Sequence, residues 1–280
     1  MAGKVTDGPR GLACGIVSGA ADGEPAWADR RLSFGGTADV YDRYRPGYPA
    51  AAVRWLVGRP APSRVLDLGA GTGRLARALA DLGHDVLAVE PDEGMRAVAR
   101  EALPGRTAAG TAEDIPAADG SFDAVVAGQA FHWFDPARAL PEIARVLRAD
   151  GHLGVIWNVR EETSPWATRL GALVGGEDRR VAEGRGHAPG LGPWFAPARS
   201  LVVEHEQELD ADRLVGLAAS WSYVALRPDR DEVLARVRAI AEAELARRGE
   251  PTFALRYQCR AFRAARASST PPAEGQAADA

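Results

Sequence analysis

The stretch RVLDLGAGTGRLARALADLG, Arg64–Gly83, decides the fold. A short apolar strand runs into a turn containing Gly69, Gly71 and Gly73. Leu75, Ala78, Leu79 and Leu82 then recur on one helical face, and Gly83 stops the helix. Strand, glycine turn and helix in that order open a parallel sheet covered by helices. Such sheets bind ligands at the carboxyl ends of their strands, so these glycines stand where a cofactor sits. Glycine lets the backbone approach a ligand closely, and the following helix offers unpaired N–H groups.

Outward from that unit the same beat continues. DVLAVE is a second strand, followed by a helix capped by Asp92 and ending near Leu103–Gly105. A short strand near Arg106–Ala109 precedes a fourth, FDAVVAGQA. Its helix has Asp135 as cap, Pro136 in the first turn, Leu140, Ile143 and Leu147 on the buried face, and Gly151 as its expected end. HLGVIWNV is a fifth strand. RSLVVEHEQEL and TFALRYQCRAF supply two more, with helical patterns over 211–224 and 230–249 between them. The glycine-rich, charged segment from Gly171 to Gly192 reads as a connection or lid. Residues 1–31 and 266–280 lack periodicity and read as a disordered extension and tail, leaving one domain over 32–265 with cap insertions at about 160–200 and 209–250.

Three neighbours of the glycine turn discriminate among its ligands. A dinucleotide fingerprint read from Gly69 ends on Arg74, where close helix packing needs Gly or Ala; read from Gly71 it ends on Ala76, in a strained form. Asp67, directly before the turn, repels a pyrophosphate but suits an ammonium or sulfonium; the plain alternative is a turn-stabilising Asp. Glu90, at the end of the second strand, can accept two ribose hydroxyls, a feature shared with nicotinamide enzymes. No Gly-Lys-Ser/Thr follows the turn, which excludes a phosphate loop. S-adenosylmethionine fits best.

Composition narrows the partners. A net charge of −4 over 280 residues argues against nucleic-acid binding. The five histidines and two cysteines, Cys14 and Cys259, show no metal-ligand spacing, so no metal is expected, and a reducing cytoplasm is the simplest location. No apolar run reaches the roughly 18 residues of a membrane span, and Gly11–Ala20 is too short and glycine-broken for a secretion signal. Oligomeric state is not legible.

VLDLGAGTG, AVEPDEGM, GTAEDIP and FDAVVAGQAFHWFD, in this order and spacing, resemble the class I S-adenosylmethionine-dependent methyltransferases, most strongly over residues 33–160. The resemblance implies an α/β Rossmann-like, doubly wound sheet of seven strands with an antiparallel last strand, here TFALRYQCRAF, and a helical or loop cap over the carboxyl ends. It implies that Asp67, Gly69, Gly71 and Gly73 hold the methionine portion and Glu90 the ribose, with Pro91 and Asp92 beside the adenine. Glu113 or Asp114 would meet the adenine amino group, and Gln129 and Ala130 would line the cofactor. Ser33–Pro49 resembles the family's arm, whose Tyr41, Tyr44, Arg45 and Tyr48 can close over the cofactor; Arg45 suits the methionine carboxylate. The same aromatics can equally be packing beside Pro46 and Pro49.

The pair His132-Trp133 carries the substrate hint, being similar to a pair in small-acid carboxyl methyltransferases of the trans-aconitate, juvenile-hormone-acid and salicylate types. That likeness implies that Trp133 donates its indole N–H to a substrate carboxylate and that His132 positions it. An ionised acid needs no general base. For a hydroxyl, nitrogen or carbon acceptor His132 would be the base, and both residues can also simply pack under the lid. Trp157, Trp166, Trp194, Trp221 and Tyr223 suit an apolar pocket under a cap, Trp221 and Tyr223 with Tyr44 as its substrate contacts, although buried tryptophans more often belong to cores. Asn158 and Arg160 add candidate polar contacts. The function expected is in-line methylation of a small molecule, a carboxylate first. The alternatives are another acceptor atom, a nicotinamide oxidoreductase or a non-catalytic binding module.

Overall fold

The computed structural model describes residues 4–6, 38–175 and 190–268. Its strands are β1 (Lys4–Thr6), β2 (Arg64–Leu68), β3 (Asp85–Val89), β4 (Thr107–Ala108), β5 (Phe122–Gly128), β6 (Leu147–Arg160), β7 (Arg199–Leu209) and β8 (Phe253–Ala265). They form one sheet in the order β1-β7-β8-β6-β5-β2-β3-β4. Strands β4, β3, β2, β5 and β6 are parallel, and β8 lies antiparallel to both β6 and β7. The antiparallel last strand expected from TFALRYQCRAF is therefore β8. The sheet has eight strands rather than seven, because Lys4–Thr6, from the stretch expected to lack order, pairs antiparallel with β7.

Both faces of the sheet are covered, and successive side chains alternate between them. Val65 faces helices α2 (Ala50–Val57) and α3 (Arg74–Asp81), while Leu66 and Leu68 face α5 (Pro136–Val146) on the opposite side. Asp67 shares the face of Val65, which puts a carboxylate in the core directly beneath the glycine turn. Helices α1 (Ala38–Tyr44) and α4 (Glu93–Ala102) complete this part of the fold. Asp92 caps α4 by accepting the Met95 N–H at 2.9 Å, and Asp135 caps α5 by accepting the Ala137 N–H at 3.0 Å.

The α5 boundary differs from expectation. The helix ends at Val146, and Leu147 already pairs with Phe122 across a register shift. Gly151 lies inside β6, where a Cβ would sit 3.0 Å from the Arg148 carbonyl oxygen and the Leu147 side chain. The glycine marks a close chain approach, not a helix stop.

A third core forms the cap. Helices α6 (Pro165–Val174), α7 (Ala211–Ala219), α8 (Ser222–Ala225) and α9 (Arg230–Arg248) pack together on Leu209, Phe253, Leu255 and Tyr257. The first part of the expected glycine-rich connection is thus the end of α6; residues 176–189 lie outside the described residues, as do 7–37 and 269–280. The arm is not extended throughout, because 38–44 are helical.

The strand order reverses between β2 and β5: β3 and β4 lie beyond β2, whereas β6 lies beyond β5. A crevice opens at such a switch point.

Candidate active site

A cavity of about 150 Å³ lies over that switch point. The ends of β2, β3 and β5 contribute Gly69, Gly71, Glu90, Pro91, Gln129 and Ala130, His132 and Trp133 follow β5, and Asn158, Arg160, Trp221 and Tyr223 come from β6 and the cap. Arg45 and Tyr41 from the arm also line it.

The glycines do three different things. Gly69, at φ +67°, has Ala130 so close that an added Cβ would lie 2.7 Å from the Ala130 Cβ. Gly71, at φ +57°, has open space around it, and its N–H donates to Glu90 Oε2 at 2.8 Å. Gly73 does not line the cavity; it starts α3 at φ +79° and leaves room for Ala99 and Leu103 of α4 and the residue after it. Gln129, at φ +58°, is the one non-glycine with positive φ among the described residues, and it sits at the end of β5 on the cavity wall.

The electrostatics of this end are unusual. Asp67 is 1% exposed, and neither carboxylate oxygen has a hydrogen-bond partner. Burial, opposed by the Ala76 backbone N–H and reinforced by the nearby Glu90 charge, pushes its pKa up to about 7. Glu90 is also buried and raised by desolvation, held back by the backbone N–H groups of Asp92 and Gly71 that it accepts. Asp67 borders a smaller cavity of about 30 Å³ beneath the first, which Tyr48, Arg74 and Arg45 also line.

The arm closes the roof. Arg45 donates from Nε to Ser220 Oγ and from Nη2 to the Ser220 carbonyl, both at 3.0 Å, and its guanidinium lies 4.9 Å from the Tyr41 ring centre. Asn158 donates to the Gly47 carbonyl at 3.0 Å and accepts from His205 Nε2 at 2.9 Å. Tyr44 does not reach the cavity wall. It packs against Gly216 of α7, where a Cβ would lie 2.5–2.6 Å from its ring. Gly216→Ala is therefore expected to lift the arm off the cap and destabilise the protein by about 1–3 kcal/mol. Thermal unfolding checks this, together with weakened product binding as Arg45 moves with Tyr44.

Glu113 and Asp114 stand outside the lining. Glu113 accepts the Asp135 N–H at 2.9 Å, and Asp114 closes a short backbone bridge with Thr111, so that Thr111 and Ala112 face the cavity. Trp157 and Trp166 are core residues, set edge-on to Phe262 and Phe253. Trp194 packs, half-buried, against the core that holds Trp157.

A methyltransferase-domain family profile matches residues 66–155, the span from β2 to the middle of β6. An uncharacterized methyltransferase of Mycobacterium tuberculosis is 43% identical over 232 residues, covering 82% of this chain and 93% of its own. A methyltransferase-like protein of Schizosaccharomyces pombe, also uncharacterized, is 30% identical over 239 residues, covering 79% and 91%. The chain is a class I S-adenosylmethionine-dependent methyltransferase. A solved structure from Anaeromyxobacter dehalogenans, provisionally assigned as a type II methyltransferase, shares 28% identity at a TM-score of 0.55, covering 81% of this methyltransferase and 100% of its own chain.

The methyltransferase's own residues fit that cofactor. The orphaned, buried carboxylate of Asp67 lacks the cation that an ammonium or sulfonium brings. Glu90 keeps lone pairs for hydroxyl donors beyond the two N–H groups it accepts.

Sequence reasoning missed Tyr257 and Leu217 among the lining residues. Tyr257 stands on β8 and reaches the site through its pairing with Arg160. No local motif signals that. No helix among the described residues is long and apolar enough to cross a membrane.

Proposed function

We propose that this methyltransferase moves the methyl group of S-adenosylmethionine to a carboxylate oxygen of a small organic acid. The cofactor supplies an electrophilic methyl carried on a positive sulfur. In this reading Asp67 provides the countercharge at the methionine end, Glu90 accepts the ribose hydroxyls, Gly71 leaves open backbone for the ligand, and Gln129 and Ala130 form the wall. Arg45 ties the arm to the cap through Ser220 and keeps Nη1 for an anionic group.

The state of His132 carries the choice of acceptor. Its Nδ1 is buried without a partner, and burial, with the Arg45 charge second, pulls its pKa down to about 3. A base that weak holds a proton poorly at neutral pH and gives an alcohol or phenol acceptor little help. A carboxylate is ionised without assistance. The remaining work is orientation and exclusion of water, which suits a neutral imidazole and an indole side by side, ring centres 4.9 Å apart.

His132→Asn is expected to keep methylation of acids within a few-fold, with kcat flat across the neutral pH range. A base role gives instead a loss of roughly 100-fold or more. Trp133→Phe is expected to lower kcat/KM for acids about tenfold, the value of one hydrogen bond to a charged group, with S-adenosylhomocysteine binding unchanged. Wild-type activity that rises through a histidine-like pKa and vanishes in the Asn variant contradicts the reading.

A further inference from the structure

At the β2–β3 end Glu90 lines the cavity, and Asp67, also buried, borders the smaller one beneath it. Among the described residues, the cationic side chains lining the cavity are Arg45, hydrogen-bonded to Ser220, and Arg160. We propose that Arg160 holds a carboxylate of the acceptor that does not react, so that the substrate carries an anionic handle remote from the atom that is methylated. This inference rests on the methyltransferase assignment and holds whichever atom of the substrate accepts the methyl group.

Arg160 is the last residue of β6, and its side chain is only 2% exposed. Its guanidinium lies 4.5 Å from the Trp221 ring centre, and Trp221 is stacked on Tyr223 at 5.7 Å with 19° between planes. The aromatic face fixes the plane of the cation and leaves its edge as the donor surface. Glu162 Oε1 accepts from Nη2 at 3.0 Å, while Nε is buried with no partner at all. A buried, charged donor left unmatched is costly. Glu162 answers one nitrogen of a five-donor group and is itself 27% exposed, so it does not complete the site. A planar carboxylate matches the donors that remain.

The held carboxylate is not the acceptor, for two reasons. Oxygens engaged by a guanidinium are stabilised as anions in the ground state, which lowers their reactivity toward methyl. Arg160 also stands beyond the strand level at which Gln129 and Ala130 line the cavity. Gln129 N–H donates to the Ile156 carbonyl at 2.9 Å, which sets Ile156 level with the end of β5. Arg160 lies four residues farther along the strand, roughly 13 Å at the rise of extended chain. His132 and Trp133 follow Gln129 almost directly. Asn158, between the two levels, is already engaged by Gly47 and His205. Tyr257 and Leu217 also line the cavity.

The test uses full-length protein loaded with S-adenosylhomocysteine and matched probes. Straight-chain dicarboxylic acids of increasing length, their mono-carboxamides and ω-hydroxy acids are titrated by calorimetry, and then assayed for methylation with S-adenosylmethionine. At least one diacid is expected to bind the wild type roughly 10- to 100-fold more tightly than its mono-carboxamide. Arg160→Gln is expected to erase that ratio, chiefly through KM, and Arg160→Lys to restore part of it. Neither variant should alter the thermal shift given by S-adenosylhomocysteine, which separates loss of the handle from loss of the fold. Equal binding of diacid and mono-carboxamide by the wild type overturns the inference, as does a diacid preference that survives Arg160→Gln, or no saturable binding by any diacid. Methylation of ω-hydroxy acids at the hydroxyl, with the carboxylate preference intact, leaves Arg160 in this role and contradicts only the carboxylate acceptor.

Discussion

Asp67→Asn raises the unfolding midpoint of the ligand-free protein while removing most of the stabilisation that S-adenosylhomocysteine confers. The two effects share one cause. The Asp67 carboxyl is buried with both oxygens unpaired, so in the absence of a cationic ligand its charge destabilises the fold. Its folded pKa of about 7 stands above the 3.8 of an ordinary aspartate. A carboxyl raised in this way contributes stability that is fully present below the unfolded value and is lost as pH rises through the folded one. The ligand-free wild type should therefore lose stability between about pH 4 and pH 7, by a few kcal/mol in order of magnitude. The Asn variant should be flat over that window with respect to this group. Product affinity should run the other way in the wild type, rising as Asp67 ionises. At about a hundred times its dissociation constant the ligand adds roughly 2.7 kcal/mol, or roughly 5–10 °C in midpoint. An Asn variant with an undiminished shift would remove Asp67 from cofactor binding.

Gly69→Ala and Gly71→Ala separate two neighbouring glycines that look equivalent in sequence. Both sit at positive φ, which costs a non-glycine residue about 1–2 kcal/mol. At Gly71 that is the whole expected penalty, because nothing lies within 4 Å of the new Cβ. At Gly69 the Cβ would also drive into Ala130 at 2.7 Å, an overpacking that adds about 1–3 kcal/mol and moves the β5 end where Gln129 and Ala130 form the wall. Gly69→Ala should thus unfold several degrees lower than Gly71→Ala and lose the larger share of S-adenosylhomocysteine binding. Calorimetric titration of both variants measures it; equal losses would mean that the turn tolerates displacement of Ala130.

Much of this was legible because it is local. The short apolar strand, the glycine turn and the Asp92 and Asp135 caps each act within a few residues, and local chemistry fixes them. The α5 boundary was not legible, because Leu147 leaves the helix to pair with Phe122, a partner set by the sheet. Gly151 resembles a helix stop in sequence, yet its neighbours in space require a residue without a side chain. The edge pair between Lys4–Thr6 and β7 depends on an available sheet edge that composition does not reveal.

The site divides the same way. Glycine-turn and strand-end residues, Gly69, Gly71, Glu90, Gln129 and Ala130, follow directly on the ends of the parallel strands β2, β3 and β5, and the structure brings them together. Tyr44 fits the arm's general pattern but is diverted by the space that Gly216 leaves on α7. Tyr257 enters only because β8 is inserted beside β6, a consequence of topology. Arg160 could be named from its position after the fifth strand; its isolation from water, its single acidic partner and its stacking on Trp221 required the folded cap.

The most direct measurement of the central claim is the chemical stability of the product. The wild-type protein is incubated with methyl-labelled S-adenosylmethionine and the panel of small acids, and each labelled product is treated with mild base. A carboxyl methyl ester hydrolyses and releases the label as volatile methanol, the result predicted here. Label that stays on the acceptor through base marks an ether, an N-methyl or a C-methyl group, and contradicts the carboxylate assignment.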